Sequence, residues 1–119
     1  MIPELETLLQ IQDLKGQRRE LTEGGGARQV QEEEFHLDVD RAIEELQAKI
    51  DELESELPPP VRSRYRRLAS HQSRVVVPAI NGVCYGCFVS VPTAIASDPA
   101  EQARLQACDH CGRFLYFVH

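Results

Sequence analysis

Two stretches of the chain place hydrophobic residues at helical spacing, and three consecutive glycines separate them. The first runs from Glu4 to about Thr22, and the second from about Gln29 to Leu57. Apolar positions in the second stretch alternate between spacings of four and three, which is typical of a coiled-coil seam. They are Val39, Ile43, Leu46, Ile50, Leu53 and Leu57. Because glycine is costly inside a helix, a turn is predicted at residues 23–28, and residues 1–60 are predicted to form an antiparallel coiled-coil hairpin.

Three prolines end this hairpin, and the pattern then changes twice. Residues 61–74 are predicted to form an arginine-rich connecting helix whose apolar face carries Val61, Tyr65 and Leu68. A β-branched run, VVVPAI, predicts a strand at 75–80, and FLYFV predicts another at 114–118. Pro78 favours an edge or a bulge for the first of these strands. The predicted fold class is α+β, mainly α, with a small C-terminal module at 75–119.

The composition indicates that the hydrophobic core of this module is too small to fold it without a further stabilising element. Apolar residues make up 42% of the chain and aromatic residues 6%, with no tryptophan, which is thin for a large core. Small modules of this kind usually depend on a metal, a disulfide or a partner. The N-terminus is acidic and amphipathic, unlike a signal peptide or a membrane span, so we expect a cytoplasmic protein without membrane insertion.

All four cysteines lie in two Cys-x-x-Cys pairs, Cys84 with Cys87 and Cys108 with Cys111, separated by 20 residues. This spacing predicts one structural Zn²⁺ held by four thiolates in a zinc ribbon. Two disulfides, a redox-active pair and a rubredoxin-like iron site are the alternatives. Disulfides are rare in the cytosol, and a redox pair would need a βαβ context that the sequence lacks. Because four thiolates leave no open coordination position, and no catalytic triad or phosphate loop is recognisable, we expect no enzyme activity.

A second candidate site is a cluster of arginines, which consists of Arg62, Arg64, Arg66, Arg67 and Arg74. These side chains could contact the phosphates of a nucleic acid. They could instead pair with a protein partner or with hairpin carboxylates such as Glu52, Glu54 and Glu56. Residues 1–57 carry a net charge of −10 and residues 58–119 a net charge of +4. The negative hairpin would repel a nucleic acid, so pairing is the favoured interpretation.

The motifs VVVPAINGVCYGCFVSVP and CDHCGRFLYF, preceded by LLQIQDLKGQRREL and YRRL, give the chain a family resemblance. It resembles bacterial four-cysteine zinc-ribbon proteins with an N-terminal coiled-coil hairpin, although its hairpin is shorter. The resemblance implies that Cys84, Cys87, Cys108 and Cys111 are zinc ligands. It also implies a non-catalytic adaptor or regulator that binds a protein partner, in transcription or in secretion or flagellar regulation, with RNA or DNA binding as an alternative.

The architecture is also similar to that of DksA-type regulators, which insert a coiled-coil hairpin into RNA polymerase. This similarity makes a polymerase-binding regulator a further alternative. The hairpin tip differs, however, because it is built from glycine with Glu23 before it and Arg28 after it, rather than from acidic residues.

Overall fold

The chain begins with a pair of long helices and ends in a small mixed sheet. A computed structural model describes residues 2–27 and 33–118. The helices and strands are α1 (Pro3–Ala27), α2 (Glu33–Glu56), α3 (Pro59–Ala69), β1 (Val76–Ile80), β2 (Val83–Cys84), α4 (Thr93–Ala96), α5 (Pro99–Gln102), β3 (Gln106–Ala107) and β4 (Phe114–Val118). The predicted α+β, mainly α fold class is therefore confirmed.

Helices α1 and α2 pack against each other in opposite directions. Lys15 of α1 pairs with Glu54, whereas Arg18, one turn later, reaches back to Gln47 of α2. Within the residues that the structure describes, no helix is both long and apolar enough to cross a membrane.

Helix α1 continues to Ala27, so the turn predicted at residues 23–28 does not occupy 23–27. Glycine costs roughly 1 kcal/mol per helical position relative to alanine, but it adopts helical dihedral angles without strain. A helix that has already formed gains one hydrogen bond for each residue added, which offsets part of that cost. Residue 28 of the predicted turn lies outside the described residues.

One hydrophobic cluster joins the helix pair to the sheet. Its buried members are Leu5, Leu8, Ile11, Ile50, Leu53, Leu57, Tyr65, Leu68, Val75, Val76 and Phe114. A second cluster, on the other face of the sheet, contains Val77, Ala79, Cys84, Val91, Cys108 and Leu115. Successive residues of a strand point to opposite faces. Consequently Val76 packs on the helices, while Val77 lies on the face that carries the cysteines.

The sheet has the strand order β2-β1-β4-β3. Strands β1 and β4 are parallel at its centre, and β2 and β3 are antiparallel to them at the edges. The edge position predicted from Pro78 is wrong, because β1 is an inner strand. The Pro78 carbonyl accepts a hydrogen bond from the Tyr85 amide, 2.9 Å away, and therefore points away from β4. Because the carbonyl and the nitrogen of one residue lie on the same side of a strand, the nitrogen of Pro78, which lacks a hydrogen, also points away from β4. The parallel ladder therefore loses nothing at the proline.

The side chain of Gln12 in α1 forms hydrogen bonds with the backbone at the start of β1. Strand β2 pairs only with the last two residues of β1, so it does not cover this end. Its Oε1 accepts hydrogen bonds from the amides of Val75 and Val76, at 2.8 and 3.0 Å. Its Nε2 donates to the Val76 carbonyl, 3.1 Å away. Both valines are buried, so their amides need protein partners. Gln12 thus links the helix pair to the sheet by hydrogen bonds as well as by packing.

Replacing Gln12 with alanine should lower the free energy of unfolding by about 2 kcal/mol, because buried backbone groups lose their partners. Chemical denaturation followed by circular dichroism measures this change. Gln17→Ala is the matched control, since Gln17 is exposed and donates to Asp13 on the same helix. The control should change the stability by less than about 0.5 kcal/mol. Equal effects of the two substitutions would contradict the role assigned to Gln12.

Candidate metal centre

A two-residue hairpin places the first cysteine pair. Ile80 pairs with Val83 across Asn81 and Gly82, which both have positive φ angles, of 52° and 75°. Asn-Gly is the sequence most favoured for this type I′ turn, whose twist matches that of the flanking strands. Cys84 follows at the end of β2, opposite Ala79. The Asn-Gly pair is a hairpin signal that our sequence analysis overlooked.

Each Cys-x-x-Cys pair lies in a turn with the same backbone pattern. In the first turn, the Phe88 amide donates to the Cys84 carbonyl, and the Cys84 amide donates to the Val89 carbonyl. In the second turn, the Gly112 amide donates to the Cys108 carbonyl, and the Cys108 amide donates to the Arg113 carbonyl. The fourth residue after the first cysteine therefore has a positive φ in both turns, 62° at Phe88 and 78° at Gly112.

Gly86 occupies a tight position inside the first turn. Its amide lies 3.4 Å from the Cys84 sulfur and points a donor at it. A Cβ at this position would lie 2.9 Å from the Arg113 guanidinium and 3.1 Å from the buried Val77 side chain. Glycine is therefore favoured here by the packing, since a larger residue would displace Arg113 and press on Val77.

The two turns bring all four sulfurs together. The Cys84 and Cys111 sulfurs are 3.8 Å apart, the Cys87 and Cys108 sulfurs are 3.6 Å apart, and all four lie within 4.8 Å of one another. The cysteines are free, and these distances exceed the disulfide bond length of about 2.05 Å. A tetrahedral ion with bonds of about 2.3 Å would separate its sulfur ligands by about 3.8 Å. The cluster therefore fits a tetrahedral metal ion, and all four predicted ligands belong to it.

The electrostatics of the cluster also suit a cation. Burial raises the pKa of Cys84 to about 12, although the amides of Cys87 and Gly86 act in the opposite direction. At Cys108 burial also opposes ionisation, but the amides of Cys111 and His110 and the neighbouring sulfurs outweigh it and lower the pKa to about 7. The first thiolate therefore forms at Cys108, whereas ionising Cys84 as well requires a positive charge inside the cluster.

Histidines do not belong to this cluster within the described part of the chain. His110 lies in the second turn but is exposed, and the four converging ligand atoms are all sulfurs. His119 lies outside the described residues, and so does the side chain of His36. The hairpin tip, on which the comparison with DksA depends, falls partly outside them as well.

One of the five predicted arginines differs from the other four in its contacts. The guanidinium of Arg62 donates to the carbonyls of Glu54, Ser55 and Leu57, at 3.1, 2.9 and 2.8 Å. It therefore caps the C-terminal end of α2, where carbonyls lack helical partners. The other four, Arg64, Arg66, Arg67 and Arg74, are exposed.

The predicted pairing of these arginines with hairpin carboxylates is not found among the described residues. The ion pairs there are Lys15–Glu54 and Lys49–Glu52. Glu54 also accepts a hydrogen bond from the hydroxyl of Tyr65, so its carboxylate already has two partners. Arg62 binds the backbone carbonyl of Glu54 instead of the carboxylate, because the open helix end lies within its reach.

An exposed hydrophobic patch lies on the first cysteine turn. Tyr85, Phe88 and Val89 are 45%, 70% and 39% exposed, and the two rings contact each other with centroids 5.5 Å apart. Phe88 is also unusual because an aromatic residue adopts the backbone conformation for which the second turn uses Gly112. This patch was not predicted, although the large apolar residues around Cys84 and Cys87 are its signal in the sequence.

One solved structure resembles this chain along most of its length. CT398 from Chlamydia trachomatis is 28% identical and gives a TM-score of 0.55, and the match covers 82% of this chain. The match covers 43% of CT398, so this chain spans less than half of that protein. No protein-family model matches the chain, and neither does any curated protein sequence.

Proposed function

We propose that Cys84, Cys87, Cys108 and Cys111 hold one structural Zn²⁺ and that residues 75–119 form a zinc ribbon. The sulfur separations of 3.6 and 3.8 Å support a tetrahedral ion, and an all-cysteine ligand set is typical of structural zinc. Four thiolates fill the coordination shell, so the ion would stabilise the fold without binding a substrate. A cytoplasmic location suits this site because the cytosol keeps thiols reduced.

The protein built around this ion is, in our proposal, a non-catalytic adaptor or regulator that binds another protein. The exposed patch of Tyr85, Phe88 and Val89 is the observation that supports this function. Exposed aromatic residues are enriched in protein interfaces, and backbone strain concentrates at functional positions. The helix pair, proposed as a coiled-coil hairpin, would supply a second, acidic surface. A role in transcription or in secretion or flagellar regulation would fit the zinc-ribbon proteins that the sequence motifs resemble.

Phe88→Gly separates binding from folding. Glycine adopts the positive φ of this position without strain, so the stability of the zinc-loaded protein should stay unchanged or rise by up to about 1 kcal/mol. Partner binding should fall at least about tenfold if the ring is an interface anchor. The measurements are thermal unfolding, and quantitative co-purification from the cytoplasm of the source organism with wild-type and variant baits. Undiminished co-purification with the variant would contradict the proposed surface, and a loss of stability would assign the ring to the fold.

Nucleic-acid binding through the ribbon and the arginines is the second candidate. The four exposed arginines, Arg64, Arg66, Arg67 and Arg74, are the observation that favours it. Arg62 is less available for phosphate because its guanidinium already has three carbonyl acceptors. The acidic helix pair would oppose a polyanion lying along it, so protein binding remains the first proposal.

The arginines should differ in their effects on stability. Arg62→Ala should lower the free energy of unfolding by about 2 kcal/mol because it uncaps α2, whereas Arg64→Ala and Arg66→Ala should change it by less than about 0.5 kcal/mol.

Single-stranded RNA and duplex DNA should bind weakly at physiological salt. Tight binding whose log–log salt slope flattens by about one unit with each exposed arginine removed would establish the nucleic-acid alternative instead. Fluorescence anisotropy over a salt series measures both outcomes.

A further inference from the structure

A cleft of about 300 Å³ lies between α1 and the segment that follows α3. Four side chains of α1 form one wall, namely Gln12, Lys15, Arg18 and Arg19, and the segment from Ala69 to Val75 forms most of the other. The cleft is distinct from the cysteine cluster and from the aromatic patch, since none of their residues lines it. Gln12 and Val75 lie on opposite walls, and the hydrogen bond from the Val75 amide to the Gln12 Oε1 joins these walls.

The lining of this cleft is cationic in an acidic protein. Lys15, Arg18 and Arg19 line it, and no described lining residue is Asp or Glu, although the whole chain carries a net charge of −6. Lysine and arginine on one helix face normally repel one another, so their concentration here lowers the cost of binding an anion.

Existing contacts leave part of this charge available. The Lys15 ammonium forms an ion pair with the Glu54 carboxylate, 3.7 Å away, and lies 4.7 Å from the centre of the Tyr65 ring. Arg18 donates one N–H to Gln47, which leaves its other donors for a ligand. Arg19 is exposed and His71 faces the cleft from the opposite wall.

Gln72 and Ser73 add polar side chains to the lining. The Oε1 atom of Gln72 is buried and has no hydrogen-bond partner among the described residues. A buried acceptor without a partner costs free energy. Turning the side chain into the cleft would relieve this cost, and its NH₂ group would then donate to an anionic oxygen bound there. Ser73, also in the lining, adds a hydroxyl donor.

We propose that this cleft binds the phosphoryl group of a small phosphorylated molecule. A phosphoryl group carries close to two negative charges and several acceptor oxygens, which matches two guanidinium groups and the amide and hydroxyl donors. A carboxylate carries one charge and would leave most of the cationic lining unneutralised. The volume of the cleft suits a small molecule, and this proposal does not depend on the zinc or on a protein partner.

The test is a titration of the metal-loaded full chain with inorganic phosphate, followed by amide NMR at constant pH and ionic strength. Saturable shifts should appear in residues 15–19 and 70–75. Glycerol 3-phosphate, as a phosphomonoester, should bind at least as tightly, and acetate should bind at least about tenfold more weakly. Arg19→Ala should weaken phosphate binding about tenfold, because it removes a charge-assisted hydrogen bond.

Arg104→Ala is the matched control, since Arg104 is also an exposed arginine but does not line the cleft. It should change the affinity for phosphate less than about twofold, because salt screens the field of an exposed charge outside the cleft. Three results would overturn the proposal: no saturable shift with phosphate, equal affinity for acetate, or an equal loss from Arg104→Ala and Arg19→Ala. Binding of phosphate without binding of glycerol 3-phosphate would overturn the assignment to a phosphorylated molecule.

Discussion

The convergence of four cysteine sulfurs is the constraint on which the C-terminal half of this protein depends. Two of the four strands have only two residues each, and the cluster beneath them contains six buried side chains. So little buried surface cannot order two long turns by itself. In our proposal one Zn²⁺ offsets the repulsion between thiolates and fixes both turns at once. Because β1 leads through β2 into the first turn and β4 follows the second, such an ion would also help to fix the register of the parallel pair at the centre of the sheet.

The effect of that constraint extends to the helices. The face of the sheet that carries no cysteines presents Val76 and Phe114 to α1, α2 and α3, in a single buried cluster. Gln12 adds hydrogen bonds between α1 and the start of β1. The helix pair, α3 and the sheet, which the sequence separates at residues 60 and 74, therefore share one hydrophobic cluster. In our proposal, removing the metal would weaken the end of the helix pair nearest the sheet as well as the sheet itself.

Local patterns in the sequence predict most of the elements and all four members of the cysteine cluster. Helical periodicity, β-branched runs and Cys-x-x-Cys spacing are short-range signals, and each determines a feature that forms within a few residues. Apart from the meeting of the two cysteine pairs, features that depend on distant contacts were not predicted. Gln12 pairs with residues 63 and 64 positions away, and Arg62 turns to backbone carbonyls instead of the carboxylates beside them. Pro78 suits an inner strand because of a hydrogen bond to Tyr85, which its own sequence context does not reveal.

The identity and coordination of the metal are the central claim, and X-ray absorption at the zinc edge tests it most directly. The protein would be purified under reducing conditions without added metal, and its metal content would be measured on the same sample. We predict one zinc per chain with four sulfur ligands at about 2.3 Å. A nitrogen or oxygen ligand, a different metal at full occupancy, or a folded metal-free chain with two disulfides would contradict this account.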